Sequence, residues 1–344
     1  MTHYIIQCIK AIQMIRKLAP IMGAITPLII LLLFSLQINE NLGMKINYAN
    51  AKDQNPLLGM KLYIDPNSNA RAQINEWKIS RPGDAKELEK IATQPQAKWF
   101  GDWNIDIRKD VKDYIKKVHN ENAIPLLVIY NIPLRDCGSF SKGGASNVES
   151  YKQWVDSFID GVGTSESIVV VEPDALAGMD CLNDKQKMDR IEAMSYAINK
   201  LTKSKSYVYI DIGNPFWLNP TDAANRIKSI SNNHLSGFVL NVSNFATPQE
   251  NYIYGKKISE KLNNMHFLID SSRNGNGANS NKDWCNPRGR ALGNYPTVDT
   301  MKPLVDAYLW IKLPGESDGY CNGGPKAGNW WPEYALELAK NKPL

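Results

Sequence analysis

Two carboxylates follow one apolar segment, in the sequence Ser167-Ile-Val-Val-Val-Glu-Pro-Asp-Ala-Leu176. Residues 168–171 are all β-branched, which predicts a fully buried strand. Pro173 has no N–H to donate to a sheet and therefore marks the end of that strand. Glu172 and Asp174 are thus expected where a buried strand meets solvent, a position from which a carboxyl group can exchange protons with a bound substrate.

A second aspartate, Asp136, could supply the partner that acid–base chemistry needs. Hydrolysis of a glycosidic bond with inversion uses one protonated and one ionised carboxyl group. Asp136 and Asp174 would close consecutive strands, so we expect their side chains to be near neighbours. A like charge nearby raises the pKa of a carboxyl group, which keeps one acid protonated near neutral pH.

The segments that must position these carboxylates have the pattern of strands alternating with helices. Such alternation predicts a parallel sheet with right-handed crossovers. Seven units within residues 52–344 suggest a closed or nearly closed barrel, and a doubly wound open sheet is the alternative that periodicity leaves open. Strands are predicted at residues 60–65, 125–131, 168–171, 207–211, 237–241, 266–270 and 306–311, and helices at 83–93, 110–120, 148–160, 184–203, 221–231 and 249–262.

Every predicted strand ends in polar or acidic residues, and only the end at Asn241 lacks a carboxylate. In β/α barrels the carboxyl ends of the strands form the active-site face. Carboxylates accept hydrogen bonds from sugar hydroxyls, and indole rings stack on the apolar faces of sugars. Core packing is the alternative role for each tryptophan in or near these loops, which are Trp99, Trp103, Trp217, Trp284, Trp310, Trp330 and Trp331.

Other chemistries have little support in the sequence. The five cysteines form no Cys-x-x-Cys pair and only four histidines occur, so no metal site is expected. No Gly-x-Ser-x-Gly is present, which argues against a serine nucleophile on an elbow. The net charge of +5 includes no lysine or arginine block, so a nucleic-acid partner is not indicated. The chemistry is left to carboxylates, and no cofactor is expected.

Residues 1–51 have the pattern of an export signal. Lys10, Arg16 and Lys17 precede 22 uncharged residues at positions 18–39. Ala49-Asn50-Ala51 fits an A-x-A cleavage site, although the uncharged stretch exceeds the roughly 20 residues that an uncleaved anchor needs. Either alternative exports the remainder of the chain. We therefore expect residues 52–344 to form one catalytic domain that is secreted or held outside the membrane, with nothing that requires more than a monomer.

An oxidising compartment favours disulfide bonds. Cys137 adjoins Asp136 and Cys181 lies seven residues after Asp174, so a bond between them would tie together the two carboxylate loops. Cys321 follows Asp318 by three residues, and Cys285 in the preceding loop could pair with it. These bonds could fix the geometry of the acids, or they could serve stability alone.

Six motifs together resemble the glycoside hydrolase family 6 cellulases, in the family's order across almost all of residues 57–341. The resemblance implies a distorted, incomplete β/α barrel of about seven strands, similar to a TIM barrel, and hydrolysis of β-1,4-glucan with inversion. The motifs are Tyr130-Asn-Ile-Pro-Leu-Arg-Asp-Cys137, Val170-Val-Glu-Pro-Asp-Ala175, Val242-Ser-Asn-Phe245, Ile269-Asp-Ser-Ser-Arg-Asn-Gly-Asn-Gly277, Asp283-Trp-Cys-Asn-Pro287 and Leu309-Trp-Ile-Lys-Leu-Pro-Gly-Glu-Ser-Asp-Gly319.

The resemblance also implies roles for single residues. Asp174 is similar to the general acid that protonates the leaving oxygen, and Asp136 to the aspartate that raises the pKa of that acid and helps to order the attacking water. Asp318 matches a disputed candidate for the base. Tyr130 resembles the tyrosine beneath the distorted sugar. The other substrate-binding positions implied are Ser141, Asp211, Trp284, Lys312 and Glu316. The family's cysteine pairs agree with the two bonds considered above.

Short loops resemble those of the family's open-cleft endoglucanases. Only 38 positions separate Asp136 from Asp174, and 36 separate Cys285 from Cys321, whereas members that attack chain ends carry long insertions. No cellulose-binding module or linker is evident. We therefore expect a secreted inverting endo-β-1,4-glucanase that acts on soluble or amorphous glucan. The alternatives are an exo-acting cellobiohydrolase of the same family, a non-catalytic glucan-binding barrel and a metal-dependent hydrolase.

Overall fold

The structure is a computed structural model that describes residues 55–230 and 234–342. The leader predicted at residues 1–51 lies outside the described residues. Within them, no helix is both long and apolar enough to cross a bilayer.

Seven parallel strands form one sheet, and each strand pairs with its sequence neighbours in the order β1 to β7. This sequential order excludes the doubly wound alternative, in which the strand order reverses at a switch point. The strands are β1 (Lys98–Gly101), β2 (Leu126–Tyr130), β3 (Ser167–Val171), β4 (Ser206–Asp211), β5 (Gly237–Leu240), β6 (His266–Asp270) and β7 (Val305–Leu309).

The sheet curls into an incomplete barrel. Its two edge strands form no ladder with one another, but the backbone N–H of Ala97, just before β1, donates to the carbonyl of Trp310, just after β7, over 3.0 Å. The Trp99 indole donates to the carbonyl of Ile311 over 2.7 Å beside this contact. The predicted fold, an incomplete seven-stranded parallel β/α barrel, is confirmed.

Helices cover the outer face of the sheet, and side-chain caps fix where several of them begin. Asn147 and Asn183 each form a reciprocal capping box with the third residue of their helix, which satisfies N–H groups that a helix start leaves free. The helices are α1 (Asn69–Ser80), α2 (Pro82–Ala92), α3 (Ile107–Asn120), α4 (Val148–Val162), α5 (Asp184–Leu201), α6 (Pro220–Lys228), α7 (Pro248–Glu260) and α8 (Pro332–Lys340).

Apolar side chains divide into an inner layer and an outer layer, as expected for strands that are buried on both faces. The outer layer packs the sheet against α3 to α7. A third cluster joins α1, α2 and α8 around the fully buried Trp310. The barrel interior is filled by residues that include Val128, Val170, Tyr209, Val239, Leu268 and Leu309.

The strand predicted at residues 60–65 is wrong. That segment alternates like a strand, but only Leu62 forms a bridge, to Ile124 at the entry of β2. The first strand of the barrel is instead Lys98–Gly101, which was not predicted because an exposed Lys98 and a terminal Gly101 leave only two apolar residues between them. The other six predicted strands are confirmed, and they shift by no more than two residues at either end.

Two helices, α1 and α8, were not predicted, and α3 begins at Ile107 rather than at Asp110 because Asp106 caps it. The remaining predicted helices are present, with small shifts at their ends. Position 231, the predicted end of α6, lies outside the described residues.

Candidate active site

The loop after β3 turns sharply and presents Asp174 toward the mouth of the barrel. Glu172 and Asp174 both have positive φ, of 46° and 67°, which non-glycine residues seldom adopt. Such backbone strain is concentrated at functional sites, where it fixes the direction of a side chain. The turn places the backbone N–H of Asp174 against the Asp211 carboxylate, 2.8 Å from Oδ1.

The carboxyl group of Asp174 is surrounded by like charges. Burial raises its pKa well above the ordinary value, and the nearby carboxylates of Asp211, Asp136 and Asp318 raise it further. Lys312 acts in the opposite direction, with a smaller effect. The surroundings of Asp174 therefore favour its protonated form.

Asp136 follows β2 in a second strained turn, with a φ of 54°. Its Oδ2 accepts a hydrogen bond of 2.7 Å from the backbone N–H of Ser141. Burial raises the pKa of Asp136, whereas this hydrogen bond and Arg135 lower it. Ser141, a predicted substrate-binding residue, thus contacts Asp136 through its backbone.

Arg135 braces the loop that carries Asp136. Its buried guanidinium donates to the carbonyl oxygens of Tyr130 and Ser141 over 2.7 and 2.8 Å, and it forms an ion pair with Asp102 over 2.8 Å. Asp102 also accepts from the backbone N–H of Gly144 over 3.1 Å. Asp102 stands just past the unpredicted β1, so this strand end carries a carboxylate too.

Asp318 is an ionised carboxylate held by cations. Its Oδ2 accepts from Arg273 over 2.8 Å and from the Asn286 backbone over 3.0 Å, and its Oδ1 lies 3.5 Å from the Lys312 ammonium. Burial alone would raise the pKa of Asp318, but the charges of Arg273 and Lys312, together with the hydrogen bonds from Arg273 and Asn286, outweigh burial and lower it. Asp318 and Asp174 therefore have pKa values shifted in opposite directions.

Asp211 is completely buried at the end of β4. Its Oδ1 accepts from the backbone N–H groups of Asp174 and Gly213. Its Oδ2 has no hydrogen-bond partner among the described residues. Burial, and to a lesser degree the charge of Asp270, raises the pKa of Asp211 to about 7. Asp211 thus binds the loop that carries Asp174, and its predicted contact with substrate stays a prediction.

The other predicted binding residues occupy the same end of the barrel. Tyr130 ends β2, with its ring 5.1 Å from that of Trp99 in an edge-to-face arrangement. Lys312 and Glu316 follow β7, and burial raises the pKa of Glu316. Trp284 is 48% exposed in the loop between β6 and β7 and tilts against Phe140, at 6.1 Å between ring centres.

Six of the seven predicted tryptophans divide into two groups, and the seventh, Trp99, is partly buried against the barrel interior. Trp103, Trp217 and Trp284 have 44% to 52% of their surface exposed and can contact a ligand. Trp310 is fully buried, and Trp330 and Trp331 pack against α1, α2 and α8. Core packing therefore explains the second group.

Both predicted disulfide bonds are present. Cys137–Cys181 joins the loops after β2 and β3, and Cys285–Cys321 joins the loops on either side of β7. The first bond connects the chain beside Asp136 with the end of the loop that begins at Asp174. The second lies next to Asp318.

Glu172 is a buried structural partner rather than a second acid at the mouth. It has no exposed surface, and its carboxylate accepts from the backbone N–H groups of Asn131 and Ile132 at 2.9 to 3.0 Å. Burial raises its pKa to about 7, although these hydrogen bonds oppose the shift. Glu172 therefore links the end of β3 to the end of β2.

Sequence reasoning missed the arginines that support the site. Arg135, Arg190 and Arg273 are almost fully buried, with at most 6% of their surface exposed. A supporting role for Arg135 could have been predicted, because Arg135 directly precedes Asp136 in the sequence. The position of Arg190 in the apolar stripe of α5 also indicated that this arginine is buried.

A curled seven-stranded β/α barrel, with two carboxyl groups at its strand ends whose pKa values are shifted in opposite directions, has the architecture of a carboxylate-dependent glycoside hydrolase. Residues 57–342 match the family described as Glycosyl hydrolases family 6. The chain belongs to this family and is a glycoside hydrolase of the cellulase type.

Among curated relatives, Endoglucanase A of Cellulomonas fimi is 45% identical over 282 residues, which cover 81% of this chain and 61% of that protein. The chain thus spans less than two thirds of the length of that relative. Endoglucanase 1 of Streptomyces halstedii is 36% identical over 289 residues, covering 80% of this chain and 87% of that protein.

Among solved structures, the endoglucanase Cel6 from Mycobacterium tuberculosis, in complex with methyl-cellobiosyl-4-deoxy-4-thio-β-D-cellobioside, superposes with a TM-score of 0.79. It is 40% identical, and the match covers 83% of this chain and 99% of that one. Endoglucanase CEL6B from Humicola insolens has a TM-score of 0.73 and is 28% identical, with coverage of 84% and 99%.

Proposed function

We propose that this chain is an inverting endo-β-1,4-glucanase in which Asp174 is the general acid. The observation that carries the proposal is the pair of opposite pKa shifts at the barrel mouth. Burial and neighbouring carboxylates raise the pKa of Asp174, while Arg273, Lys312 and the backbone of Asn286 together outweigh burial and lower the pKa of Asp318. Paired carboxyl groups whose environments separate their pKa values have the pattern expected of an acid–base site.

In the proposed reaction, Asp174 donates its proton to the glycosidic oxygen as the bond to the anomeric carbon breaks. A water molecule attacks that carbon from the opposite face, which inverts its configuration. Asp136 keeps the pKa of Asp174 high and helps to order the attacking water. A proton returns to Asp174 from solvent after the products leave.

Asp318 is a weak candidate for the general base. A carboxylate that is paired with Arg273 over 2.8 Å and has a lowered pKa gains little by accepting a proton. We therefore infer that the proton of the attacking water passes to solvent through other waters. Asp318 contributes charge to the site, including part of the field that raises the pKa of Asp174.

The proposed substrate is a β-1,4-glucan that lies along the mouth of the barrel. Support comes from Tyr130 and Trp284, from the exposed ring of Trp217, and from the Mycobacterium tuberculosis relative solved with a thio-linked cello-oligosaccharide. Lys312 and Glu316 are the proposed polar contacts for sugar hydroxyls. The endoglucanase names of the relatives, together with the short stretches from Asp136 to Asp174 and from Cys285 to Cys321, favour attack within chains.

We also propose that the enzyme acts outside the cell as a monomer. The two disulfide bonds are of the kind that persists in an oxidising compartment. Mass spectrometry of the mature N-terminus tests this proposal. A terminus near Lys52 supports secretion, and a retained leader supports a membrane anchor.

Two assays on the purified protein test the activity. On carboxymethyl cellulose, an endo-acting enzyme lowers viscosity early, when few reducing ends have formed, whereas release of cellobiose without loss of viscosity would indicate an exo-acting enzyme. On cellohexaose, NMR of the first products should show the α-anomer. A β-anomer at early times would contradict inversion.

A further inference from the structure

Arg190 connects the two loops that carry Asp136 and Asp174, although it belongs to neither. It lies in α5 and is only 4% exposed. One terminal nitrogen of its guanidinium donates to the carbonyl of Ala175, the residue after Asp174, over 2.8 Å. The other terminal nitrogen donates to the carbonyls of Pro133 and Leu134 over 3.0 and 3.1 Å.

These three carbonyls lie near the strand ends, where the two loops begin. The disulfide bond Cys137–Cys181 joins the same loops further out, at the far end of the Asp174 loop. Glu172 joins the strand ends themselves through the backbone of Asn131 and Ile132. Beyond it the two loops are cross-linked twice, by Arg190 near the strands and by the disulfide bond further out. Of these two cross-links, the arginine is the one that contacts the residue next to Asp174.

We propose that Arg190 is a positioning residue that sets the separation between Asp136 and Asp174. The inference rests on the proposed function, because it takes Asp174 as the acid. The planar guanidinium presents donors in a fixed fork, so it can hold two chain segments at a defined distance. A lysine at this position offers one compact ammonium group and cannot reproduce the fork.

A purely structural role for Arg190 is the competing explanation, and Arg226 provides a matched control. Arg226 lies in α6 and donates to the carbonyls of Leu176 and Ala177, over 3.1 and 2.7 Å, in the same loop that begins at Asp174. Its other recorded partner is Asp180, also in that loop. Replacing Arg226 therefore removes arginine–carbonyl bonds from the acid's loop while leaving the link to the Asp136 loop in place.

The experiment compares two substrates of the full-length enzyme. A β-1,4-glucan needs a proton on its leaving oxygen, whereas 2,4-dinitrophenyl β-cellotrioside has a leaving group that departs without one. In Arg190→Met we expect kcat/KM on glucan to fall about 10- to 100-fold, the range that a small misplacement of a catalytic group can cost. On the dinitrophenyl substrate we expect a much smaller loss, because that reaction no longer depends on the acid and only the ordering of the attacking water by Asp136 can suffer.

The pH profile supplies a second readout. If Asp136 moves away from Asp174, the pKa of Asp174 falls and the alkaline limb of kcat on glucan shifts to lower pH. Arg190→Lys should lie between wild type and Arg190→Met in both readouts. Arg226→Met should lower the melting temperature. It should leave the alkaline limb of the kcat profile, and the ratio of kcat/KM on glucan to kcat/KM on the dinitrophenyl substrate, close to those of wild type.

Three outcomes would overturn the proposal: equal losses on the two substrates, an unshifted alkaline limb, or the same substrate selectivity in Arg226→Met. If Arg190→Met does not fold, the substrate selectivity and the alkaline limb of Arg190→Lys test the proposal instead. Asp174→Asn, measured in parallel, separates this inference from the proposed function. If the dinitrophenyl substrate fails to rescue Asp174→Asn, the assignment of the acid is wrong. If the dinitrophenyl substrate restores the activity of Asp174→Asn but not that of either Arg190 variant, the acid is correctly assigned and only the positioning role of Arg190 is wrong.

Discussion

The carboxylate of Asp211 accepts a hydrogen bond from the backbone N–H of Asp174 over 2.8 Å. Asp211 thus holds the loop that carries Asp174, while the negative charge of Asp211 opposes ionisation of Asp174. After burial, Asp211 is the largest cause of the raised pKa of Asp174. Structure and electrostatics at the acid therefore depend on one buried side chain.

Asp211→Asn should shift the alkaline limb of the pH–activity profile to lower pH. The amide retains an oxygen that can accept from Asp174, but it removes the like charge, so the pKa of Asp174 falls and the acid loses its proton at lower pH. The check is kcat on a soluble cello-oligosaccharide between pH 4 and 9. An unchanged or more alkaline limb would show that Asp211 does not set the pKa of the acid.

Stability should decrease as the pH rises from acid toward neutral, partly because of Glu172. Its pKa is raised from 4.5 to about 7 in the folded protein, so the fold favours the protonated form. The resulting stabilisation is fully present below the unfolded pKa and is lost as the pH rises through about 7. It amounts to about 3 kcal/mol, since each unit of pKa shift corresponds to about 1.4 kcal/mol.

Urea unfolding at several pH values measures this dependence, and Glu172→Gln is the control. The amide mimics the neutral carboxyl group and does not titrate, so the variant should lose less stability than wild type between pH 4.5 and 7.5. Parallel pH dependence of the two proteins would contradict the raised pKa of Glu172.

The disulfide bond Cys137–Cys181 should matter for activity as well as for stability. It encloses 44 residues, for which chain entropy predicts about 4 kcal/mol of stabilisation. Because it joins the loops of Asp136 and Asp174, the variant with both cysteines changed to serine should lose activity at temperatures where its ellipticity is still native. The measurement is activity and circular dichroism on one temperature series. Loss of activity and of native ellipticity at the same temperature would show that the bond only stabilises the fold.

Substrate affinity should depend on the exposed indoles of Trp217 and Trp284. Stacking of an aromatic ring on a partner is worth about 0.5–1.5 kcal/mol beyond area burial, so each alanine variant should raise KM for cellohexaose roughly 2- to 10-fold. Tyr295→Ala is a suitable control, since Tyr295 is 40% exposed but packs beside Trp310 and Lys342. An equal rise of KM in this control would show that the effect is not specific to the two indoles.

The sequence was sufficient for six of the seven strands because they are short, buried apolar segments followed by polar or acidic residues. The exception is β1, where only four residues pair and an exposed Lys98 and a terminal Gly101 weaken the pattern. Residues 60–65 alternate more like a strand, yet they lie beside the barrel and form a single bridge. Which of two such segments becomes a strand depends on the strand that it can pair with, and a local sequence pattern does not contain that information.

Among the supporting arginines, Arg190 was the hardest to predict, because its partners are backbone carbonyls from distant segments. Arg190 occupies the same face of α5 as Ala193, Met194, Ala197, Ile198 and Leu201. A charged residue in an apolar stripe indicates a buried polar contact, but the sequence does not say with what. The bond between Asp211 and the backbone of Asp174 was likewise not predicted, because it depends on the left-handed turn after β3.

Asp174→Asn tests the central claim most directly. The amide in this variant has no proton of suitable acidity to donate, so we predict that kcat on carboxymethyl cellulose falls by at least about 10²-fold, the low end for general acid catalysis. The native circular dichroism spectrum should be retained, and turnover of 2,4-dinitrophenyl β-cellotrioside should fall much less. Near-normal turnover of carboxymethyl cellulose by this variant would contradict the assignment of Asp174 as the acid.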